Sequence, residues 1–283
     1  MRVARHGSGP RAVAAALTSQ VHPVFMLPAV ASSLFGASLH GSIETIVASI
    51  HVAAVFAGLY TAHVKDGYVD FYLRGEDDDH PLTAFGCRLA LVLAGGLFLA
   101  AALALGGLVG VGAVALVVPG WLVGYFHAPQ LDTNPVTATT GYPLGVGFAL
   151  LGGNYVQVGA LTVEALAFAT VFVVVLSGIK IIDDATDVVY DRSIEKRTVA
   201  VVLGRRRARR AAYAVMAGGL LAVLALAAQS VFPPSSVVAV AAFTAVALVA
   251  RRAEAELATM LLIRGSYVFL ALLVVAVWFR PLS

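Results

Sequence analysis

The sequence predicts an all-α polytopic membrane protein, a bundle of about nine transmembrane helices, on three observations. Of 283 residues, 60% are apolar and only 12% charged, about half the ~25% charge of an average soluble domain. The charges are clustered, leaving 12–43, 45–64, 89–131, 133–163 and 211–250 free of Asp, Glu, Lys and Arg; each run suffices for one or two spans of roughly 20 residues. The longest runs are divided by turn signals, Gly106-Gly107 in one and Pro233-Pro234-Ser235-Ser236 in another.

The first span, 13–37, follows Arg2, Arg5 and Arg11. It is too long for a signal-peptide core and more spans follow, so it is expected to be retained. His22, Pro23 and Pro28 interrupt it, and a broken intramembrane helix either lines a cavity or packs as a kink. The second span, 45–62, leads into an acidic stretch. The third and fourth, 84–105 and 108–126, flank the Gly-Gly pair. The fifth and sixth occupy 142–157 and 160–178, and the sixth runs toward a second acidic stretch. The last three, 211–230, 237–249 and 257–279, follow the arginine run 205–210, the Pro-Pro turn and Arg251-Arg252. Residues 1–283 read as a single domain.

Lys and Arg favour the cytoplasmic side. With the N-terminus inside, 18 of the 19 fall in inner loops or near inner span ends, Arg280 being the exception. This predicts a multi-pass protein of the cell membrane with cytoplasmic loops at about 63–83 and 180–210 and the C-terminus outside. The net charge of +3 and pI near 9.1 follow from that asymmetry, so the arginine run meets anionic lipid headgroups rather than nucleic acid. Cys87 is the single cysteine; it can form no internal disulfide and no Cys-based metal site.

Eleven of the 16 acids lie in 66–79 and 183–195. In the first stretch, Lys65-Asp66-Gly67-Tyr68-Val69-Asp70 precedes Glu76-Asp77-Asp78-Asp79; Asp66 and Asp70 share a face of any helical extension of the second span. In the second, Asp184, Asp187 and Asp191 follow the i, i+3, i+7 spacing of one helical face, where like charges repel. A merely solvated face would intersperse cations. Several carboxylates facing one point suit a hard divalent ion such as Mg2+, which binds through one or two carboxylates plus substrate phosphates; Mn2+ fits the same ligands. Lys180, Arg192, Lys196 and Arg197 stand beside them to neutralise phosphate oxygens. An anionic group held by metal and cations, backed by apolar helices, describes a prenyl diphosphate.

These residues resemble the UbiA-type intramembrane prenyltransferases, nine-helix bundles with aspartate motifs after the second and sixth helices. Asp184-Ala185-Thr186-Asp187-Val188-Val189-Tyr190-Asp191-Arg192, then Lys196-Arg197-Thr198 and Val202-Leu203-Gly204, is similar to the family's DxxDxxxDR, KRT and hydrophobic-LG sequence. The first motif departs from NDxxDxxxD: Asp66 stands at the asparagine, Gly67 at the first aspartate and Asp70 at the second, with a longer interval to Asp77. His80-Pro81 replaces a basic residue followed by proline, leaving Arg74 or Lys65 to contact diphosphate. Tyr125-Phe126-His127-Ala128-Pro129-Gln130-Leu131, Gly141-Tyr142 and Gly152-Gly153-Asn154-Tyr155-Val156-Gln157 resemble the menaquinone and carotenoid branches, although Asp132 stands near a basic position there. The resemblance covers roughly 22–204.

It implies that Mg2+ on Asp66, Asp70, Asp77, Asp184, Asp187 and Asp191, with Lys65, Arg74, Arg192, Lys196 and Arg197, holds the diphosphate while the allylic C–O bond ionises. Asp66, Asp70, Asp187 and Asp191 then carry catalysis. A lipophilic acceptor (a quinone precursor, carotenoid or lipid) attacks the carbocation in a cavity that excludes water. Tyr68, Tyr125, Tyr155 or Tyr190 can face the cation, or anchor at the interface. His22 and Asn134 are further cavity candidates, as is Gln130. His40, His51 and His63 read as packing or interfacial residues. Two other classes compete. A transporter would place its acids near the midplane, whereas these lie at one face. A CDP-alcohol-type phosphatidyltransferase shares the Asp66-Gly67 opening but needs Ala-Arg where Asp70-Phe71 stands.

Overall fold

The computed structural model describes residues 2–281. Met1, Leu282 and Ser283, the ends of the expected 1–283 domain and of the C-terminus expected outside, lie beyond the described residues. Twelve α-helices occur among them, and the β pairing there is one isolated Ala4–Leu82 bridge.

The first expected span is two helices, α1 (Gly9–Thr18) and α2 (Pro23–Ser38), bent by 66°. Pro23 has no amide hydrogen and drives His22 out of the helical region, to φ −107° and ψ 89°. α3 (Thr45–Tyr68) starts where the Glu44 carboxylate accepts from the Ile46 and Val47 amides at 3.2 and 2.9 Å. It runs past the expected end into a π-helical turn, Val69–Arg74, stopped by Gly75 at φ +63°. α4 (Ala84–Leu108) is capped by the Thr83 hydroxyl, which accepts from the Gly86 amide. Gly106-Gly107, the expected divider, lies inside α4. The chain turns instead at Gly110, whose φ of +120° is open to glycine, before α5 (Val111–Phe126).

α6 (Pro135–Val158) begins seven residues ahead of the expected span because Asn134 and Pro135 form a ready cap and first turn. α7 (Val163–Asp184) is capped by Thr162. Two short helices, α8 (Val188–Ser193) and α9 (Val199–Leu203), lead to α10 (Arg205–Ala228), α11 (Ser236–Ala250) and α12 (Ala255–Phe279). Five of these elements are individually long and apolar enough to cross a bilayer, and α1 with α2 makes a sixth. α5 and α11, of 16 and 15 residues, are shorter apolar helices. Each of the nine expected spans overlaps a helix, while the count of nine crossings is not fixed by length and hydropathy. α4 leaves Val92, Leu93, Leu97, Leu99 and Leu103 exposed along its length, as an integral membrane helix facing lipid does.

α2 packs on α6 through small residues. A Cβ at Gly36 would strike the Leu150 carbonyl, and one at Gly153 the Ser33 carbonyl, so the two backbones touch as small-residue contacts in membranes allow. α7, α10, α11 and α12 close around a phenylalanine core in which Phe168 and Phe232 stack at 3.8 Å between centroids. The acidic turns gather at one end of the bundle. There the N-terminal segment crosses the first of them: His6 Nε2 lies 2.8 Å from the Asp79 carboxylate, and Arg5 stacks over Phe71 at 4.3 Å. At the other end of α10 the Ser235 hydroxyl reaches the Ala276 carbonyl of α12 at 3.5 Å.

Candidate active site

α3 delivers the first acidic motif. Asp66 lies in its last turn and Asp70 in the π-helical turn, the kind of irregularity that gathers at functional sites. Arg74 sits between two carboxylates. Its Nη1 donates to Asp70 Oδ1 at 3.3 Å and its Nη2 to Asp132 Oδ2 at 2.7 Å, with all three side chains less than a fifth exposed. Asp132, which stands near a basic position of the similar branches, thus ties the α5–α6 connection to the first motif through an arginine supplied by the motif itself. Its carbonyl also accepts from the Arg197 amide at 2.9 Å, which joins the second motif to the same place.

The second motif is not one helical face. α7 ends at Asp184, and the helix restarts at Val188 with Asp187 as its N-terminal flank. Three carboxylates on one face would repel; the break separates them. Asp184 turns inward, 6% exposed, and accepts from Lys180 Nζ at 2.6 Å, while Asp183 accepts from the same amine at 3.0 Å. Asp187 is exposed. Asp191 is buried and accepts from the Thr198 hydroxyl at 3.4 Å. Burial pushes its carboxyl up to about 6; Lys196 pulls the other way, and Asp184 and Asp187 add to the rise. Lys196 also acts electrostatically on Asp70 and Asp184, so a single amine lies between the two motifs.

Behind the acids runs a cavity of about 720 Å³, within the usual ~300–1,000 Å³ of small-molecule sites. Asp66, Asp70, Asp77, Asp183 and Lys180 line its mouth, His63 and His127 the region below, and His51, Ala54, Val117 and Phe148 its apolar depth. His22, at the break of the first span, is also among the lining residues. The other aromatic and amide candidates are placed otherwise. Tyr68 leans on Tyr72 within the Leu82 and Cys87 cluster. Tyr125 stacks on Trp121 and carries Lys65 Nζ over its ring at 4.4 Å, so Lys65 points to α5. Asn134 caps α6. Tyr190 lies at the surface; partial burial and the Glu76 carboxylate push its hydroxyl up to about 12. Arg192 donates to the Val201 carbonyl at 3.4 Å.

Sequence reasoning named His22 as a cavity candidate but missed the rest of the histidine wall. His51 is buried and shares a 2.7 Å hydrogen bond with the Ser33 hydroxyl, and it lines the cavity with His22, His63, His80 and His127. The available signal was a polar ring inside an apolar span, at 51 and again at 63, on the helix that ends in the first motif.

Among the described residues no three acids, histidines or cysteines are already arranged to hold a metal ion. The donor set still suits Mg2+, which takes few protein ligands and completes its shell with phosphate and water. Asp66, Asp70, Asp77 and Asp183 line the cavity itself, and around them Glu76 Oε2, Asp132 Oδ1 and Asp184 Oδ2 are buried oxygens without a hydrogen-bond partner, hard acceptors within the two acidic stretches and the α5–α6 connection.

A family model described as the UbiA prenyltransferase family matches residues 85–273. Among solved structures, one described as digeranylgeranylglyceryl phosphate synthase in membranes superposes with a TM-score of 0.73 at 12% identity, over 94% of this chain and 98% of that one. A UbiA homologue from Aeropyrum pernix K1 gives 0.72 at 16% identity, over 90% and 97%. A UbiA homologue from Archaeoglobus fulgidus, bound to GPP and Mg2+, gives 0.59 at 15%, over 94% and 99%. At these identities the likeness is one of fold. No curated protein matches the chain.

Proposed function

The chain belongs to the UbiA prenyltransferase family and is a prenyltransferase of the membrane, and on that premise we propose that it transfers a prenyl group from a prenyl diphosphate to a lipophilic acceptor, dependent on Mg2+. The observation that carries this reading is the cavity, acidic and cationic at its mouth and apolar in its depth: diphosphate and prenyl chain need those two environments side by side. The Archaeoglobus fulgidus homologue, of the same fold, was solved with GPP and Mg2+.

In this reading Lys180 meets the diphosphate from the cavity lining, Lys196 adds charge from beside Asp70 and Asp191, and Arg74 holds the first motif against the α5–α6 connection. Arg192, Arg197 and Lys65 stand further out. Asp66, Asp70, Asp77, Asp184, Asp187 and Asp191 hold Mg2+, with Mn2+ able to replace it. Bound there, the ion neutralises charge that develops on the leaving diphosphate. The two motifs and Lys196 fix their charges before ionisation, so no reorganisation is needed as the C–O bond breaks. The apolar wall around Ala54, Val117 and Phe148 keeps water from the cation. The acceptor is a quinone precursor, a carotenoid or another lipid. The acidic mouth faces the cytoplasm, where Lys and Arg concentrate.

Binding tests this directly. Titration of the protein in detergent with geranylgeranyl thiolodiphosphate, which resists ionisation, is expected to show Mg2+-dependent binding that weakens at least about tenfold, or ~1.4 kcal/mol, with chelator or in Asp66→Asn. Equal affinity with and without Mg2+ would remove the metal from the account.

A further inference from the structure

Every acceptor that attacks an allylic cation must lose a proton, whether from an O–H or a C–H group. We propose that Nε2 of His63 takes that proton. The inference rests on the prenyl-transfer reading above and adds a residue to which that reading gives no role.

Three observations carry it. First, His63 has one defined tautomer: its Nδ1 lies 3.3 Å from the Gln20 carbonyl oxygen, which can only accept, so Nδ1 carries the hydrogen and Nε2 the lone pair. Among the described residues no protein group bonds that Nε2. Second, its depth is right. His63 precedes Asp66 by three residues on α3, which sets it about 4.5 Å further into the bundle at 1.5 Å per residue. A diphosphate at Asp66 and Asp70 puts its esterified carbon just below them, at the level of His63. Third, the ring is held for the task. His22 meets it edge to face at 4.7 Å between centroids and Phe25 stands at 6.4 Å, which with the Gln20 bond fixes the direction of Nε2.

The other histidines are placed for other roles. His51 lies 15 residues from Asp66, about 22 Å along the axis, and its Nε2 is buried against Gly152. His80 buries its Nε2 against Gly67. His127 lies among Asp66, Asp132, Lys180 and Lys196, at the level of the diphosphate.

The step balances. The C1–O bond of the prenyl diphosphate breaks and its electron pair leaves with diphosphate; the acceptor's nucleophilic atom bonds to C1; the acceptor's proton passes to Nε2 and leaves through the acidic mouth. Water that quenches the same cation from the mouth hands its proton on to further solvent, whereas an acceptor held in the water-free cavity has Nε2 to take it. Loss of His63 therefore shifts products from transfer toward prenyl alcohol.

The test uses the full chain with labelled geranylgeranyl diphosphate, Mg2+ and phenolic, glycerolipid and carotenoid acceptors, comparing wild type with His63→Asn and His63→Gln. Asparagine keeps a donor for the Gln20 carbonyl; glutamine places an amide near Nε2. Rates are taken per folded protein, verified by thermal unfolding. Both variants are expected to lower transfer by about 10²-fold or more and to raise the ratio of prenyl alcohol to transfer product at least about tenfold. Wild-type turnover with an unchanged ratio in both variants would overturn the proton step alone. No turnover by the wild type with any acceptor would overturn the reading beneath it, and the proton step with it.

Discussion

Asp191→Asn is expected to reduce diphosphate release by about 10²–10³-fold, the loss of one preorganised electrostatic group at a reacting centre. Asp191 is buried, its carboxyl is raised to about 6 by that burial, and Lys196 and Lys180 are the cations pulling against it. In the proposed complex Mg2+ brings two further positive charges, which a carboxylate offsets in part and a neutral amide does not. Asparagine keeps an oxygen for the Thr198 hydroxyl, so thermal stability should hardly move, and the rate loss is separated from misfolding. Asp187→Ala should act in the same direction with less cost to the fold, because Asp187 is exposed. Activity above a tenth of wild type in either variant would remove the metal-bridge assignment from the second motif.

Lys180→Met is expected to damage both stability and turnover. Lys180 Nζ is shared by Asp183 at 3.0 Å and Asp184 at 2.6 Å, and Asp184 is 6% exposed with a second oxygen already unpartnered. Removing the amine strands a buried carboxylate, a change that costs about 3–5 kcal/mol where it has been measured. A large fall in unfolding temperature in detergent should follow. Lys180→Met combined with Asp184→Leu should recover much of the stability, since apolar side chains of similar volume replace buried ion pairs well. It should recover no activity, because Lys180 lines the cavity mouth where the diphosphate is placed. A double variant that is both stable and active would move the diphosphate elsewhere.

What the sequence made legible follows from its physics. Span positions came from hydropathy, which acts over tens of residues, so every expected span meets a helix even though 13–37 is bent at His22-Pro23. Exact ends did not, because they depend on local caps: Asn134-Pro135 starts α6 early, and Gly110 with its positive φ, rather than Gly106-Gly107, ends α4 and begins α5. The acidic motifs were legible as clustered charge in an apolar chain. Their geometry was not. The spacing of Asp184, Asp187 and Asp191 suggested one helical face, whereas the helix ends at Asp184 and restarts at Val188, which relieves the repulsion that stacked carboxylates would feel. The Arg74–Asp132 pair joins residues 58 apart, and no local pattern announces such a contact. The histidine wall was hidden for a further reason: His51 and His63 look like isolated polar residues until α2, α5 and α6 close around them.

The most direct test of the central claim is transfer itself: label from geranylgeranyl diphosphate followed into lipophilic product, in membranes containing the full chain, with Mg2+ and with chelator. The account predicts a labelled product that requires Mg2+, disappears with chelator, returns on adding the ion back, and is lost in Asp191→Asn. Folded protein that forms no product and releases no diphosphate with any acceptor, with or without Mg2+, would contradict it.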